Sequence, residues 1–188
     1  MKKDMTLTEL KKRISEIDHA ELKKLVCNLY KNSDMAEKMI NAAILGDSYK
    51  ERLLEQYKDK MFAVFFPKDI IRSGFSLSKA KSLISEFKNI CSETEYILDL
   101  QLYYVECGTE FTNTFGDIDI NFYNSMCKVY HTVIQAVNTQ ENDRLYQKFA
   151  DRLYSIVTET DEIGWGYHDY VTDEFYNILW LEEEQYKL

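Results

Sequence analysis

The fold is indicated most clearly by residues 119–137, whose sequence is DINFYNSMCKVYHTVIQAV. Apolar side chains recur in this stretch every three or four residues, as at Phe122, Met126 and Tyr130, which is the spacing of one face of an α-helix. Asp119 stands just before this pattern, where a carboxylate accepts hydrogen bonds from the free amides at a helix start. The stretch therefore predicts a long amphipathic helix that begins after Asp119.

Similar signals recur along most of the chain, because Ser, Thr or Asp side chains precede further apolar stripes. The predicted starts are Thr6, Asp18, Ser33, Ser48, Ser76 or Ser78, Ser92, the break at 139–143, and Thr172. Gly46 and Pro67 are predicted to end helices, and one helix is expected to weaken near Gly108. The sequence predicts an all-α fold of about nine antiparallel helices, packed as a bundle or as a short α-solenoid-like stack.

A single helical domain is predicted over residues 1–188. Within it, the third helix is expected to bury one stripe of apolar side chains. This stripe comprises Met35, Ala36, Met39, Ile40, Ala43 and Ile44. Residues 1–88 carry 18 Lys and Arg against 13 Asp and Glu, whereas residues 89–188 carry 5 against 19. The change near residue 90 is the candidate for a subdivision, between a basic first half and an acidic second half.

The acidic second half decides which partners the sequence favours. It repels phosphates and anionic lipid, so nucleic acid and membrane are disfavoured and a protein partner, in particular a basic one, is expected. The alternatives are head-to-tail association of copies, packing of the two halves against each other, and simple solvation of both halves. No apolar run approaches the roughly 20 residues of a membrane span, and the N-terminus lacks an apolar signal core. The protein is therefore expected to be cytoplasmic.

Residue types that commonly bind metal ions are present, but their spacing predicts no metal and no cofactor. Cys27, Cys91, Cys107 and Cys127 form no C-x-x-C pair and are expected to be reduced and buried. Cys127 and His131 lie four residues apart on one predicted helix, which supplies half of a zinc site. The remaining ligands would have to come from distant parts of the chain.

Two segments of the acidic half carry the candidate functional residues. The first segment is residues 106–124, in which Glu106 and Glu110 share one helix face. The second is residues 164–169, with the sequence GWGYHD, which is predicted to form a loop that presents Trp and His side chains. The candidate binding surface comprises Glu106, Glu110, Asp117, Asp119, Tyr123, Asn124, Trp165, His168 and Asp169. The two segments are predicted to meet in space. The structural alternative is that Trp165 plugs the core while His168 and Asp169 satisfy backbone groups at a helix end.

The same two segments resemble a known family. Residues 99–106 (DLQLYYVE), 111–119 (FTNTFGDID), 122–125 (FYNS) and 164–169 (GWGYHD) look like the motifs of a bacterial, all-helical family of unknown function. The resemblance covers about residues 6–170 and implies a wholly helical fold. Residues 171–188 stand outside it as an additional C-terminal helix. The resemblance implies no particular activity, cofactor or partner.

Three hypotheses of function follow from the residues. The first is a non-catalytic, cytoplasmic helical interaction module. The second is a metal-binding protein or hydrolase-like enzyme that would use Glu106, Glu110, Asp117, Asp119, His168 and Asp169 as ligands or as a general base. The third is nucleic-acid contact through the basic residues Lys68, Arg72, Lys79, Lys81 and Lys88. No nucleophile elbow, phosphate loop or H-E-x-x-H pattern occurs in the chain, which favours the first.

Overall fold

The computed structural model of the protein describes residues 4–69, 74–139, 143–181 and 186. These residues form nine α-helices and no β-strand. The helices are α1 (Leu7–Glu16), α2 (His19–Asn32), α3 (Asp34–Leu45), α4 (Asp47–Phe65), α5 (Leu77–Ile90), α6 (Thr94–Phe115), α7 (Ile120–Asn138), α8 (Arg144–Glu159) and α9 (Tyr167–Tyr176). The predicted all-α fold class is confirmed.

Most of the predicted helix starts have the expected capping chemistry. At α1, the Thr6 hydroxyl accepts a hydrogen bond from the Glu9 amide at 3.3 Å, and the Glu9 carboxylate accepts one from the Thr6 amide at 2.8 Å, so each side chain satisfies an amide that has no partner inside the helix. Side-chain caps are also present at Asp18, Ser33, Ser76 and Asp119. Local sequence therefore determines where these helices begin.

Three predicted starts are wrong. Helix α4 begins at Asp47, directly after Gly46 with its positive φ of 70°, so Ser48 lies inside the helix. Helix α6 has no side-chain cap near Ser92; the Glu93 carboxylate instead accepts from the Cys91 thiol at 3.1 Å and forms an ion pair with Lys50. Thr172 lies inside α9, which begins at Tyr167. At α6 the Glu95 carboxylate, which would complete a capping box with Ser92, pairs instead with Arg144 and Lys148 of α8.

Gly108 does not weaken its helix, because α6 continues through it to Phe115. A Cβ atom built on Gly108 would lie 2.2 Å from Sδ of Met126 on α7, which is far inside van der Waals contact. The glycine therefore permits close approach of α6 and α7. The sequence prediction was wrong because it treated the residue as a helix breaker and had no knowledge of the neighbouring helix.

The chain contains two compact units, residues 1–47 and 48–188, called here the N-terminal unit and the C-terminal unit. In the N-terminal unit α2 packs against α3, and the Tyr30 hydroxyl donates to Oδ1 of Asn41 at 3.3 Å. Ala42 is the one buried residue among residues 4–47. The predicted buried stripe of α3 is therefore wrong, since Ile44 is 76% exposed, and the expectation that Cys27 is buried is also wrong.

The C-terminal unit has a well-packed core. Helix α6 contacts α5, α7 and α8, and α9 packs against α7 and α8. The largest fully buried side chains are Tyr57, Met61, Phe65, Phe87, Leu100, Tyr104, Phe122, Tyr123, Tyr130, Phe149, Tyr167 and Phe175. The candidate hinge near residue 90 falls at the junction of α5 and α6, inside this unit.

Candidate functional site: the Trp165 cleft

The structure brings the two motif segments of the acidic half together. The Tyr167 hydroxyl at the start of α9 lies 2.8 Å from the Thr109 hydroxyl in α6. The Tyr167 ring also packs on the Tyr123 ring of α7, with 5.3 Å between centroids. A Cβ atom on Gly164 would lie 3.5 Å from Oδ2 of Asp117. Buried side chains thus join the GWGYHD segment to the turn between α6 and α7.

Tyr123, Asp117 and Asp119 stabilise that turn. The Tyr123 hydroxyl donates to Oδ1 of Asp117 at 2.9 Å and lies 2.6 Å from the hydroxyl of Thr112. Burial raises the pKa of Tyr123, although its hydrogen bond with Thr112 acts in the opposite direction. Oδ1 of Asp119 caps α7 by accepting from the amides of Asn121 and Phe122. These three candidate residues have hydrogen-bond partners within the protein.

Trp165 protrudes from the surface in an unusual backbone conformation. Its φ is 61° and its side chain is 55% exposed, between Gly164 and Gly166. The left-handed region costs a bulky residue on the order of 1–3 kcal/mol, and a residue that is more than half exposed gains only part of its possible burial energy in return. The structural alternative, in which Trp165 plugs the core, is therefore wrong.

A cleft of about 340 Å³ lies beside Trp165, between α7, the 164–166 turn and α9. It is called the Trp165 cleft here. Its lining residues are Tyr123, Asn124, Cys127, Lys128, His131, Trp165, Gly166 and Tyr170. Spacing of three or four residues places the α7 members on one helix face, which explains why a single helix supplies most of the lining.

The polar side chains of the cleft differ in whether they pair with a charged residue of the protein. Nδ1 of His131 lies 2.7 Å from Oε2 of Glu174 on α9. Lys128 makes no ion pair in the described part of the chain. Burial raises the pKa of Cys127 to about 11, and the charge of Glu174 adds to this effect. The Cys127 thiol is therefore protonated at neutral pH and is a poor nucleophile.

His168 and Asp169 lie in the first turn of α9 rather than in a loop, so the loop prediction is wrong from Tyr167 onward. Nδ1 of His168 lies 3.1 Å from the hydroxyl of Thr160, the C-cap residue directly after α8. Asp169 is exposed, where its carboxylate interacts favourably with the positive end of the helix dipole. Neither residue lines the Trp165 cleft.

Glu106 and Glu110 face another part of the unit. They line a separate cleft between α6 and α8 with Arg152. The Arg152 guanidinium donates two hydrogen bonds to the Glu106 carboxylate, at 2.6 and 2.8 Å, and one to Asp99 at 2.8 Å. None of the described contacts joins Glu106 or Glu110 to Asp117, Asp119, His168 or Asp169. The predicted residues therefore do not line one site: Tyr123, Asn124 and Trp165 line the Trp165 cleft, and Glu106 and Glu110 line a separate cleft.

Asp99 lies at the centre of this ion-pair cluster, 7% exposed, with Nζ of Lys58 on α4 at 3.0 Å. Burial acts to raise the pKa of Asp99, but the charges and hydrogen bonds of Arg152 and Lys58 outweigh it and lower the pKa. The carboxylate is therefore ionised, and the cluster connects α4, α6 and α8. Glu106 has a structural role in this cluster, because its carboxylate is paired with Arg152.

In the described part of the chain, no group of three or more His, Cys, Asp and Glu side chains has an arrangement that would hold a metal ion. None of the helices in the described ranges combines the length and the apolar content needed to cross a bilayer. Of the basic residues considered for nucleic-acid contact, Lys68, Lys79, Lys81 and Lys88 are exposed, whereas Arg72 lies outside the described residues.

Comparison with known families gives one match. The sequence profile of a family of unknown function, DUF6155, matches residues 5–179. The chain belongs to the DUF6155 family. The match extends past residue 170 and so includes the whole of α9. No curated protein and no solved structure matches the chain.

For this DUF6155 protein, sequence reasoning missed several members of both clusters. Lys128, Cys127, His131 and Tyr170 line the cleft together with the predicted Tyr123, Asn124 and Trp165. Three of them lie on the helix face of Asn124, at intervals of three or four residues, and this periodicity was an available signal. Asp99 and Arg152 lie on different helices, 53 residues apart, and no local pattern connects them.

Proposed function

We propose that the protein is a non-catalytic, cytoplasmic helical interaction module that binds a basic protein partner on the surface around Trp165. The observation that carries this proposal is the exposed Trp165 ring, held on a left-handed backbone beside a cleft. Trp is among the residues most enriched where protein interfaces concentrate their binding energy. A strained and exposed Trp is costly for folding alone, so a role in binding accounts for its presence.

The charge around Trp165 supports a basic partner. Exposed acidic residues lie on the segments that flank the cleft, at Asp117, Asp119, Asp161, Glu162, Asp169 and Asp173. An acidic surface accelerates the encounter with a basic protein and disfavours nucleic acid. An indole face also attracts Lys and Arg side chains through cation–π interaction, by about 0.5–1 kcal/mol at exposed sites.

Two properties of the surface favour binding over catalysis. The Cys127 thiol, the most nucleophilic side-chain type in the cleft, is protonated at neutral pH because its pKa is raised. Glu106, which the enzyme hypothesis needs as a ligand or base, pairs with Arg152 in a separate cleft. Asp117 and Asp119 serve as hydrogen-bond acceptors at the turn between α6 and α7.

Site-specific photo-cross-linking in living cells tests the proposal. A benzophenone amino acid would replace Trp165 in one variant and Phe62 in a control, since Phe62 is an exposed aromatic of the same unit that does not line the cleft. We expect a discrete cross-linked protein of basic composition from the first position and not from the second.

Trp165→Ala and Phe62→Ala variants, used as competitors in the same experiment, provide a second criterion. The Trp165→Ala protein should fail to compete while the Phe62→Ala protein competes fully, with both correctly folded by circular dichroism. Cross-links to the same proteins in the same yield at both positions would contradict the proposal, because they would indicate non-specific binding rather than a specific site.

A further inference from the structure

We infer that the Trp165 cleft recognises a carboxylate carried beside an aromatic or apolar side chain of the bound peptide. This inference rests on the proposed function, since it assigns chemistry to the cleft that the proposed partner would enter. The acidic surroundings alone predict a basic partner. Carboxylate recognition would mean that this partner also carries a negatively charged group.

Lys128 is the first observation behind the inference. The acidic half, residues 89–188, contains five basic residues, which are Lys128, Arg144, Lys148, Arg152 and Lys187. Arg144 and Lys148 form ion pairs with Glu95, and Arg152 pairs with Asp99 and Glu106. Lys187 lies outside the described residues. Of the four described cations, Lys128 makes no ion pair, although acidic residues outnumber basic ones in this half.

The second observation is the balance of donors and acceptors in the cleft. Lys and Trp side chains only donate hydrogen bonds, whereas the Asn side chain donates two through its NH2 group and also accepts at its carbonyl oxygen. The side chains of Asn124, Lys128 and Trp165 make no hydrogen bond within the described ranges. The hydrogen-bond donors of these side chains and the positive charge of Lys128 suit a ligand group that is negatively charged and only accepts hydrogen bonds. An ionised carboxylate is such a group.

The third observation concerns shape and size. Trp165, Tyr170 and the buried Tyr123 give the cleft aromatic lining. A volume of about 340 Å³ is at the small end of the range for ligand sites. It therefore suits one side chain with an adjoining carboxylate, such as the last residue of a peptide, better than a large cofactor.

Phosphate is the competing anion, and the charge of the surroundings disfavours it. A phosphate monoester carries about −1.5 to −2 charge at neutral pH, whereas a carboxylate carries one. In a half with 19 acidic and 5 basic residues, each further negative charge on the ligand adds repulsion. A carboxylate can therefore pair with Lys128 at a smaller cost in electrostatic repulsion than a phosphate.

Fluorescence titration tests the inference on the full chain. The sequence has two Trp residues, so a Trp180→Phe variant leaves Trp165 as the reporter. The probes are the peptide Lys-Ser-Lys-Gly-Phe with a free C-terminal carboxylate, the same peptide as a C-terminal amide, and Lys-Ser-Lys-Glu-Phe-amide, whose carboxylate is on a side chain. We expect the free acid to shift the Trp165 emission and to bind at least about tenfold more tightly than the amide, as loss of a charge-assisted hydrogen bond implies.

Lys128→Gln is the decisive variant, and Lys88→Gln, on the exposed surface of α5, is its matched control. Lys128→Gln should abolish the preference for the free acid, and Lys88→Gln should leave it unchanged. If the peptide with the internal Glu binds as tightly as the free acid, the recognised carboxylate belongs to an acidic side chain; otherwise it belongs to a chain terminus.

The outcomes separate this inference from the proposed function. Equal binding of acid and amide, or a preference that survives Lys128→Gln, overturns carboxylate recognition while a peptide site at Trp165 stands. Absence of binding by all three peptides at millimolar concentration also overturns it, and the cross-linking at Trp165 then judges the proposed function independently. Inorganic phosphate that displaces the free acid at equal concentration would overturn the preference for a carboxylate.

Discussion

The N-terminal and C-terminal units are built from the same kind of amphipathic helix, yet they differ in what each buries. Residues 4–47 bury Ala42 alone, and side chains such as Leu29 and Ile44 are exposed. The C-terminal unit has a core of fully buried aromatic rings around α6. The difference teaches that an apolar stripe predicts a helix and its apolar face, while burial of that face depends on a neighbour that the stripe does not specify.

The largest expected effect tests this comparison directly. Phe149→Ala, at a fully buried position of α8, should lower the free energy of unfolding by about 3–5 kcal/mol, because it removes apolar contact and leaves a cavity. Leu29→Ala in α2, where the side chain is 49% exposed, should lower it by less than about 1 kcal/mol. Urea denaturation measures both. A loss of more than about 2 kcal/mol for Leu29→Ala would mean that this face is covered in solution.

The ion-pair cluster of the C-terminal unit provides the next test. Arg152→Ala should cost about 3 kcal/mol, because it leaves the buried Asp99 and the Glu106 carboxylate without their shared partner. Arg144→Ala, which removes an arginine that is 78% exposed in its pair with Glu95, should cost less than about 1 kcal/mol. Thermal melts at low and high salt measure both effects. Equal costs would show that the cluster is not desolvated.

Close packing of α6 on α7 predicts an intermediate effect. Gly108→Ala should cost about 1–3 kcal/mol, because the new methyl group overlaps the fully buried Met126 side chain, which has to move to admit it. The same change in a Met126→Ala background should cost much less, since the overlapping sulfur is gone, and the coupling energy of the double-mutant cycle measures that difference. An unchanged or increased stability of Gly108→Ala alone would contradict the close approach, because alanine is the better helix former.

The smallest expected effect concerns Trp165, an exposed aromatic residue of the well-packed C-terminal unit. Trp165→Gly and Trp165→Ala both remove the ring, so their difference reports on the left-handed backbone alone. The glycine variant should be more stable than the alanine variant by about 1 kcal/mol, because glycine adopts positive φ without a steric cost. Differential scanning calorimetry resolves this difference. Equal stability would show that position 165 is not held in the left-handed region in solution.

The helices of the fold were largely predictable because their signals are local. Thr6, Asp18, Ser33, Ser76 and Asp119 cap helices as predicted, since a cap needs only atoms two or three residues away. The failures at Ser92 and Gly108 have the opposite cause. Glu95, the acid of the capping box predicted at Ser92, pairs with Arg144 and Lys148 of α8, and Gly108 accommodates a side chain of α7. Neither partner is near in sequence.

The candidate site was predictable in part. Tyr123, Asn124 and Trp165 line one cleft, as members of the predicted surface. Glu106 and Glu110 were grouped with them on charge alone, but the rotation of α6 turns both toward Arg152 and α8. Lys128 was overlooked because a lone lysine in a sequence carries no signal; its importance comes from the absence of an ion-pair partner within the described residues.

The sequence by itself determined that this protein is all-helical, where most of its helices begin, and which halves of the chain are basic and acidic, because capping and periodicity act over a few residues and charge is a sum over composition. Only the tertiary structure decided which apolar faces are buried, which acids have a buried cationic partner, and that Trp165 stands exposed beside Lys128. Those properties depend on helix rotation and on side chains many residues apart, and packing of the whole unit sets both.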